Sequence, residues 1–137
     1  MAFFAANNYS SPHYRSPMSQ FSLRNCKVAV VGLGYVGLPL AGEFGKHFRS
    51  VGYDNKAARV AELKKGHDST LEVEPGELRA AKGLSYSTDV KDLKSCQVFI
   101  VTVPTPIDGY KRPDLKPIES ASQLIGQVLK KGDIVVF

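Results

Sequence analysis

The reading of the fold turns on residues 27 to 54, KVAVVGLGYVGLPLAGEFGKHFRSVGYD. It opens with Lys27-Val28-Ala29-Val30-Val31, a short apolar, β-branched run that suits a strand buried on both faces. Gly32 to Gly37 follow as a glycine-rich turn. Leu40, Ala41, Phe44 and Phe48 then recur at helical spacing and predict a helix, weakened by Gly42 and Gly45. Val51-Gly52-Tyr53-Asp54 reads as a second strand that ends on a carboxylate.

The turn Gly32-Leu33-Gly34-Tyr35-Val36-Gly37 has the pattern G-x-G-x-x-G. Alone that pattern is weak. Between a strand and a helix, with an acidic residue about 20 residues on at the end of the next strand, it is the dinucleotide fingerprint. Gly32 permits the tight turn, Gly34 lets a pyrophosphate approach the backbone, and Gly37 lets the helix pack closely on the sheet. The amides of Tyr35 and Val36 are expected to face the phosphates at a positive helix end. Tyr35 is read as contributing its amide alone. Asp54 is expected to accept hydrogen bonds from the adenosine ribose. A carboxylate there repels a 2′-phosphate and favours NAD over NADP, although Lys56 and Arg59 could soften that exclusion.

Outward from this core the pattern continues. Ala57, Val60, Ala61 and Leu63 suggest a second helix ending near Gly66. A short helix is expected around Glu77 to Ala81, a short strand at Leu84 to Ser87 and a helical turn at Val90 to Lys94. Val98 to Val103 is a clear strand, ended by Pro104 and Pro106. Ile118, Ala121, Ile125, Val128 and Leu129 form a helical stripe, with Lys130 and Lys131 at its C-terminus and Gly132 as its cap. Ile134 to Phe137 begins a fifth strand. Strands alternating with helices imply βαβ units. The expected class is α/β, a Rossmann-type doubly wound parallel sheet over residues 27–137, truncated after the start of strand five.

The sequence from Lys27 to Phe137 resembles the UDP-glucose/GDP-mannose dehydrogenases. Besides the glycine turn, three segments carry the likeness. Asp54-Asn55-Lys56-Ala57-Ala58-Arg59-Val60 is similar to the family's second strand end, where the Asp holds the ribose and an Arg five residues later helps hold the adenosine side. Glu74-Pro75-Gly76 is similar to an E-P-G-L segment, with Glu77 standing before Leu78 as an extra residue. Val103-Pro104-Thr105-Pro106 resembles the V-P-T-P loop beside the nicotinamide ribose. Val103 to Ile107, followed by Arg112-Pro113-Asp114-Leu115, looks most like the branch acting on UDP-N-acetylhexosamines, including the Vi-antigen type.

The resemblance implies an NAD-dependent oxidation of a UDP-sugar, UDP-N-acetylhexosamine or UDP-glucose. The C6 alcohol becomes an aldehyde and then a carboxylate, two NAD+ are reduced, and a cysteine thiolate carries a thiohemiacetal and then a thioester. It also implies a homo-oligomer for a full-length enzyme, a place in polysaccharide biosynthesis, and a role for Thr105 in positioning water or substrate. Read without the resemblance, Thr105 is a turn residue between two prolines. Glu74 is equally readable as an exposed loop carboxylate. The family's nucleophilic Cys, Lys and Asn lie in segments beyond residue 137, so the 137-residue chain is expected to be inactive by itself. Such truncation would leave strand five as an exposed apolar edge prone to self-association. A stand-alone NAD-sensing module without catalysis is the competing reading. The V-P-T-P loop favours the enzyme, because a sensor has no need of a nicotinamide-side threonine.

Composition narrows the field. A net charge of +5 comes from scattered Lys and Arg and implies no nucleic-acid partner. No run approaches the roughly 18 apolar residues of a bilayer span. Residues 1–26 are rich in Ser, Asn and Tyr, lack acidic residues and are expected to be a disordered leader; Arg15, Arg24 and the serines faintly suggest a transit peptide. Cys26 and Cys96 have no metal-ligand spacing, and His13, His47 and His67 lie far apart, so no metal site is expected. Reduced thiols point to a cytoplasmic setting. Both cysteines precede strands, at the edge opposite to where such sheets bind ligands, and neither can serve as the nucleophile.

Overall fold

The computed structural model describes residues 25–137. Five strands, β1 (Lys27–Val31), β2 (Arg49–Tyr53), β3 (Leu84–Ser87), β4 (Val98–Val101) and β5 (Ile134–Val136), form one sheet in the order β3-β2-β1-β4-β5. Every pairing is parallel. The central strand β1 sets Val28 opposite Ser50 on one side and Val98 on the other. Side chains along β1 alternate between faces. Ala29 and Val31 enter one core with Phe99, Val101, Leu93 and Ile125, while Val28 and Val30 enter the other with Leu33, Leu38 and Leu63. β1 is thus covered on both faces by buried apolar residues, which is why the strand can be apolar throughout.

The helices α1 (Gly37–His47), α2 (Ala57–Lys64), α3 (Pro75–Ala80) and α4 (Lys116–Gly126) and a 3-10 helix (Val90–Ser95) connect the strands. α1 runs to His47 despite its glycines. At Gly45 a Cβ would lie 2.6 Å from the Leu84 Cβ, so the helix needs the missing side chain to lie against β3. The doubly wound parallel sheet expected from the sequence is the observed architecture, with helices on both faces.

Several boundaries differ from the sequence expectation. β4 stops at Val101 rather than Val103, because β1, its partner, has already entered the glycine turn; the Thr102 amide donates the last sheet-type bond, 2.9 Å to the Val31 carbonyl. α4 ends at Gly126, short of the basic pair. The chain tightens there through the Val128 amide on the Ile125 carbonyl, which drops Val128 into the core and leaves Leu129 exposed. Lys130 and Lys131 therefore do not terminate the helix. The Lys130 ammonium instead donates to the Lys94 and Cys96 carbonyls at 2.8 and 3.1 Å, tying the chain to the foot of β4. Gly132, at φ +94°, lies in the turn before β5 and not at the helix cap. Ala61, counted in the apolar stripe of α2, is exposed, and Val60 and Leu63 alone are buried there. The leader expectation falls on residues outside those described, apart from Asn25 and Cys26; Cys26 is buried in the core at the foot of β1.

Candidate functional site

The carboxyl ends of β1, β2 and β4 open onto a cleft of about 930 Å³. Its floor is the glycine turn, Gly32 to Val36. Asp54, Asn55 and Lys56 border it after β2, and Thr102 to Thr105 after β4. Lys116, Ser120 and Leu124 of α4 form a further wall.

The turn is built to leave backbone bare. At Gly37 an added Cβ would lie 1.8 Å from the Gly32 carbonyl oxygen and 2.5 Å from Thr102 Oγ1, so only glycine lets α1 start this close to the sheet. At Gly34 an added Cβ meets no atom of the described residues within 4 Å. The fold itself does not require glycine at that position. The space a side chain would take belongs to the cleft. Among the described residues no acceptor engages the amides of Gly34, Tyr35, Val36 or Gly37. Amides at a helix start with no protein partner form a receptor for anionic oxygens.

Residues at the ends of β2 and β4 hold the turn in place. The Gly32 amide donates to the Tyr53 carbonyl of β2 at 2.8 Å. The Thr102 hydroxyl lies 2.8 Å from the Gly32 carbonyl and 3.1 Å from that of Val31. Asp54 Oδ2 accepts the Leu33 amide at 2.9 Å and Oδ1 accepts the Lys56 amide at 2.9 Å. Those two bonds fix the carboxylate at the cleft border, and each oxygen keeps acceptor capacity for a further donor.

Arg59 lies elsewhere. Sequence reasoning set it on the adenosine side of a cofactor, but its side chain is not on the cleft wall. Nε donates to the Leu33 carbonyl at 2.9 Å. One terminal nitrogen pairs with Glu62 and, at 2.7 Å, with Asp68. Burial opposes the charge on Arg59, yet its pairing with Glu62 and Asp68 outweighs this and raises its pKa. Asp68 is itself buried and accepts from the Thr70 hydroxyl and from the amides of Thr70, Glu72 and Val73. Burial pushes its carboxyl up, but these donors and Arg59 prevail and hold it well below the usual carboxylate range.

The remaining candidates are divided. Val103, Pro104 and Thr105 line the cleft, and no described residue engages the Thr105 side chain. Glu74 is exposed at the start of α3 and off the cleft. Cys26 and Cys96 are buried at the feet of β1 and β4 and also off it. Burial pushes the Cys96 thiol up to about 11. No metal-ligating cluster occurs among the described residues. Sequence reasoning missed Thr102, Asp68 and the α4 wall. A hydroxyl that supports a turn from a distant strand leaves no local pattern, and Asp68 sits in a polar loop that reads as solvated.

Residues 26–137 match the model of the UDP-glucose/GDP-mannose dehydrogenase family, NAD binding domain. The chain belongs to that family. It is 60% identical over 115 residues to the UDP-N-acetyl-D-glucosamine 6-dehydrogenase of Pseudomonas aeruginosa, covering 84% of this chain and 27% of that protein. It is 50% identical over 117 residues to the Salmonella typhi protein of the same name, covering 85% of this chain and 28% of that one. The solved UDP-D-ManNAc dehydrogenase from Pyrococcus horikoshii superposes with a TM-score of 0.69 at 32% identity, covering 80% of this chain and 27% of that one. The chain therefore spans little more than a quarter of these relatives' lengths. As the family's NAD binding domain, it presents the three features that NAD needs: bare amides for a diphosphate, an open position at Gly34, and a carboxylate at the end of β2.

Proposed function

We propose that this chain binds NAD+ in the cleft and serves as the cofactor-binding part of an oxidoreductase that converts the C6 alcohol of a UDP-N-acetylhexosamine to the carboxylate. One observation carries the cofactor reading: among the described residues no acceptor engages the Gly34–Gly37 amides at the start of α1, beside a carboxylate already fixed by two backbone amides. Gly34, Tyr35, Val36 and Gly37 would receive the diphosphate. Asp54 would take the adenosine ribose hydroxyls, and its charge would disfavour a 2′-phosphate. Val103, Pro104 and Thr105 would border the nicotinamide ribose, with Thr105 positioning water or substrate. Bound NAD+ supplies the hydride acceptor for the oxidation. Arg59, whose Nε donates to the Leu33 carbonyl of the turn, would help hold the adenosine side.

The substrate reading rests on the two relatives named as UDP-N-acetyl-D-glucosamine 6-dehydrogenases. A cytoplasmic setting fits a nucleotide-sugar substrate and two unpaired thiols. No helix among the described residues is long and apolar enough to cross a membrane. A homo-oligomer is proposed for an enzyme that carries this domain.

Calorimetric titration with NAD+ and NADP+ tests the cofactor reading. The chain should prefer NAD+, and Asp54→Ala should lose about 1–3 kcal/mol of NAD+ binding, the scale of a hydrogen bond to a charged partner. Equal affinity for both nucleotides, or no change in the variant, would count against it. The substrate reading is tested by a chimera in which residues 26–137 replace the matching segment of the Pseudomonas aeruginosa enzyme. NADH formation from UDP-N-acetyl-D-glucosamine is expected, and a folded chimera that binds NAD+ but ignores this sugar would refute it.

A further inference from the structure

Two successive peptides of the glycine turn face the same way. In the Val31–Gly32 peptide the carbonyl accepts the Thr102 amide at 2.9 Å, and the amide donates to the Tyr53 carbonyl at 2.8 Å. In the Gly32–Leu33 peptide the carbonyl accepts the Thr102 hydroxyl at 2.8 Å, and the amide donates to Asp54 Oδ2 at 2.9 Å. Along a regular strand successive carbonyls point to opposite sides. Gly32, at φ +99°, turns the second peptide over, so both carbonyls face Thr102 and both amides face the end of β2. The first peptide takes the backbone partners that Thr102 and Tyr53 offer. The second is left with side chains, a hydroxyl after β4 and a carboxylate after β2.

We propose that Thr102 is a positioning residue for Asp54: its hydroxyl, through the Gly32–Leu33 peptide, aims the carboxylate that takes the adenosine ribose. The inference rests on the NAD+ reading above and deepens it.

Three observations support it. The hydroxyl has one proton to give, and the Val31 carbonyl, 3.1 Å away, already holds the Thr102 amide. The Gly32 carbonyl is nearer and has no other donor among the described residues. Its peptide is planar and trans, so holding the carbonyl fixes the direction of the Leu33 amide. A carbonyl that accepts a hydrogen bond also makes the amide of the same peptide a stronger donor. Thr102 is seated where both outer glycines of the turn leave room for it. An added Cβ on Gly32 would lie 3.1 Å from its carbonyl carbon, and one on Gly37 2.5 Å from its hydroxyl oxygen. Finally, the other oxygen of Asp54 is held by the Lys56 amide, only two residues along the same loop. Among the described residues, the Leu33 amide is the one anchor that ties the carboxylate to the glycine turn.

The test compares wild type, Thr102→Val, Thr102→Ser, Asp54→Ala and the double variant of Thr102→Val with Asp54→Ala, below their unfolding midpoints. NAD+ and its 2′-deoxyadenosine analogue are titrated into each, and the Leu33 amide resonance is followed in the ligand-free chains. Wild type should favour NAD+ over the analogue by about tenfold or more, as for a hydrogen bond to a charged group. Thr102→Val should cut that preference to about threefold or less, while Thr102→Ser, which keeps the hydroxyl, should hold it within about twofold of wild type. In Asp54→Ala the preference should be gone, and adding Thr102→Val should weaken NAD+ by less than about a further twofold, since Thr102 acts through Asp54. The Leu33 amide should shift in Thr102→Val and stay near its wild-type position in Thr102→Ser.

If Thr102→Val weakens NAD+ and the analogue alike and keeps the preference, the hydroxyl merely stiffens the turn and the proposal is overturned. Full additivity in the double variant, or an unmoved Leu33 resonance in Thr102→Val, would overturn it too. Should Thr102→Val not fold, Thr102→Ala is read by the same preference and the same resonance. If wild type binds NAD+ without preferring it to the analogue, the ribose role of Asp54 falls and the proposal with it. If wild type fails to bind NAD+ at all, the cofactor reading falls. Thr102 is then judged by the Leu33 resonance in the ligand-free variants, where no shift refutes its hold on Asp54.

Discussion

Two glycines three residues apart answer to opposite constraints. Gly37 is demanded by the fold, since its missing Cβ makes room for the Gly32 carbonyl and the Thr102 hydroxyl. Gly34 is not demanded by the fold, since nothing among the described residues lies near its missing Cβ, and in the proposed NAD+ reading that open space takes the diphosphate. Alanine at each should therefore give different failures. Gly34→Ala should leave the unfolding free energy within about 0.5 kcal/mol of wild type, as expected away from packed features. It should nonetheless weaken NAD+ binding by about tenfold or more. Gly37→Ala should destabilise the chain by about 1–3 kcal/mol through overpacking against backbone. Denaturant unfolding with calorimetric titration separates the two, and equal destabilisation by both would show that Gly34 has no ligand-specific role. The fingerprint named both residues and gave Gly37 the packing role that its missing Cβ fills here.

At the scale of elements, the sheet sorts its two ends. The carboxyl ends of β1, β2 and β4 carry the cleft, and the amino ends of β1 and β4 carry Cys26 and Cys96, both buried. Cys96 is fully buried, with its thiol pushed up to about 11 by desolvation. Iodoacetamide at pH 8 should modify it only as fast as the protein unfolds, and rapid native-state labelling of Cys96 would contradict its place in the core. Beside it in that core, Phe99 has no exposure. Phe99→Ala should cost about 3–5 kcal/mol, read from chemical denaturation. β1 was legible as an apolar β-branched run and β4 as an apolar run ended by prolines. Their exact ends were not, because a strand stops where its neighbour stops pairing, as β4 does at Val101.

For the molecule as a whole, charge burial sets the pH limits. The Asp68 carboxyl is held below its ordinary range in the folded state, so the folded chain gains stability from it above about pH 4, where the unfolded carboxylate is already ionised. That contribution is lost as pH falls below about 4 and the unfolded chain takes up the proton first. Cys96 acts in the opposite sense: its raised value favours the fold below about pH 8.5–9 and loses effect as pH climbs toward about 11. A melting series should show stability falling at both extremes, and Asp68→Asn should flatten the acid limb. Breaking a buried pair of this kind costs about 3–5 kcal/mol at neutral pH. The cleft also lacks a thiol or lysine–cysteine pair within this chain, since both described cysteines lie off it. The 137-residue chain alone should produce no NADH from any UDP-sugar, and a steady rate from the purified chain would overturn that expectation.

By itself the sequence determined the alternation of strand and helix, the glycine turn, and the carboxylate that follows β2. Each of these is written in neighbouring residues, as a hydrophobic period, a steric permission or a fixed offset. Only the tertiary structure decided that Thr102 would brace Gly32 from β4, that Asp68 would lie buried beneath Arg59, and that Arg59 would hold the turn from behind the cleft wall. These contacts join residues far apart in the chain or in a polar loop without periodicity. Their partners are chosen when the sheet assembles and desolvation forces each buried charge to find an opposite one.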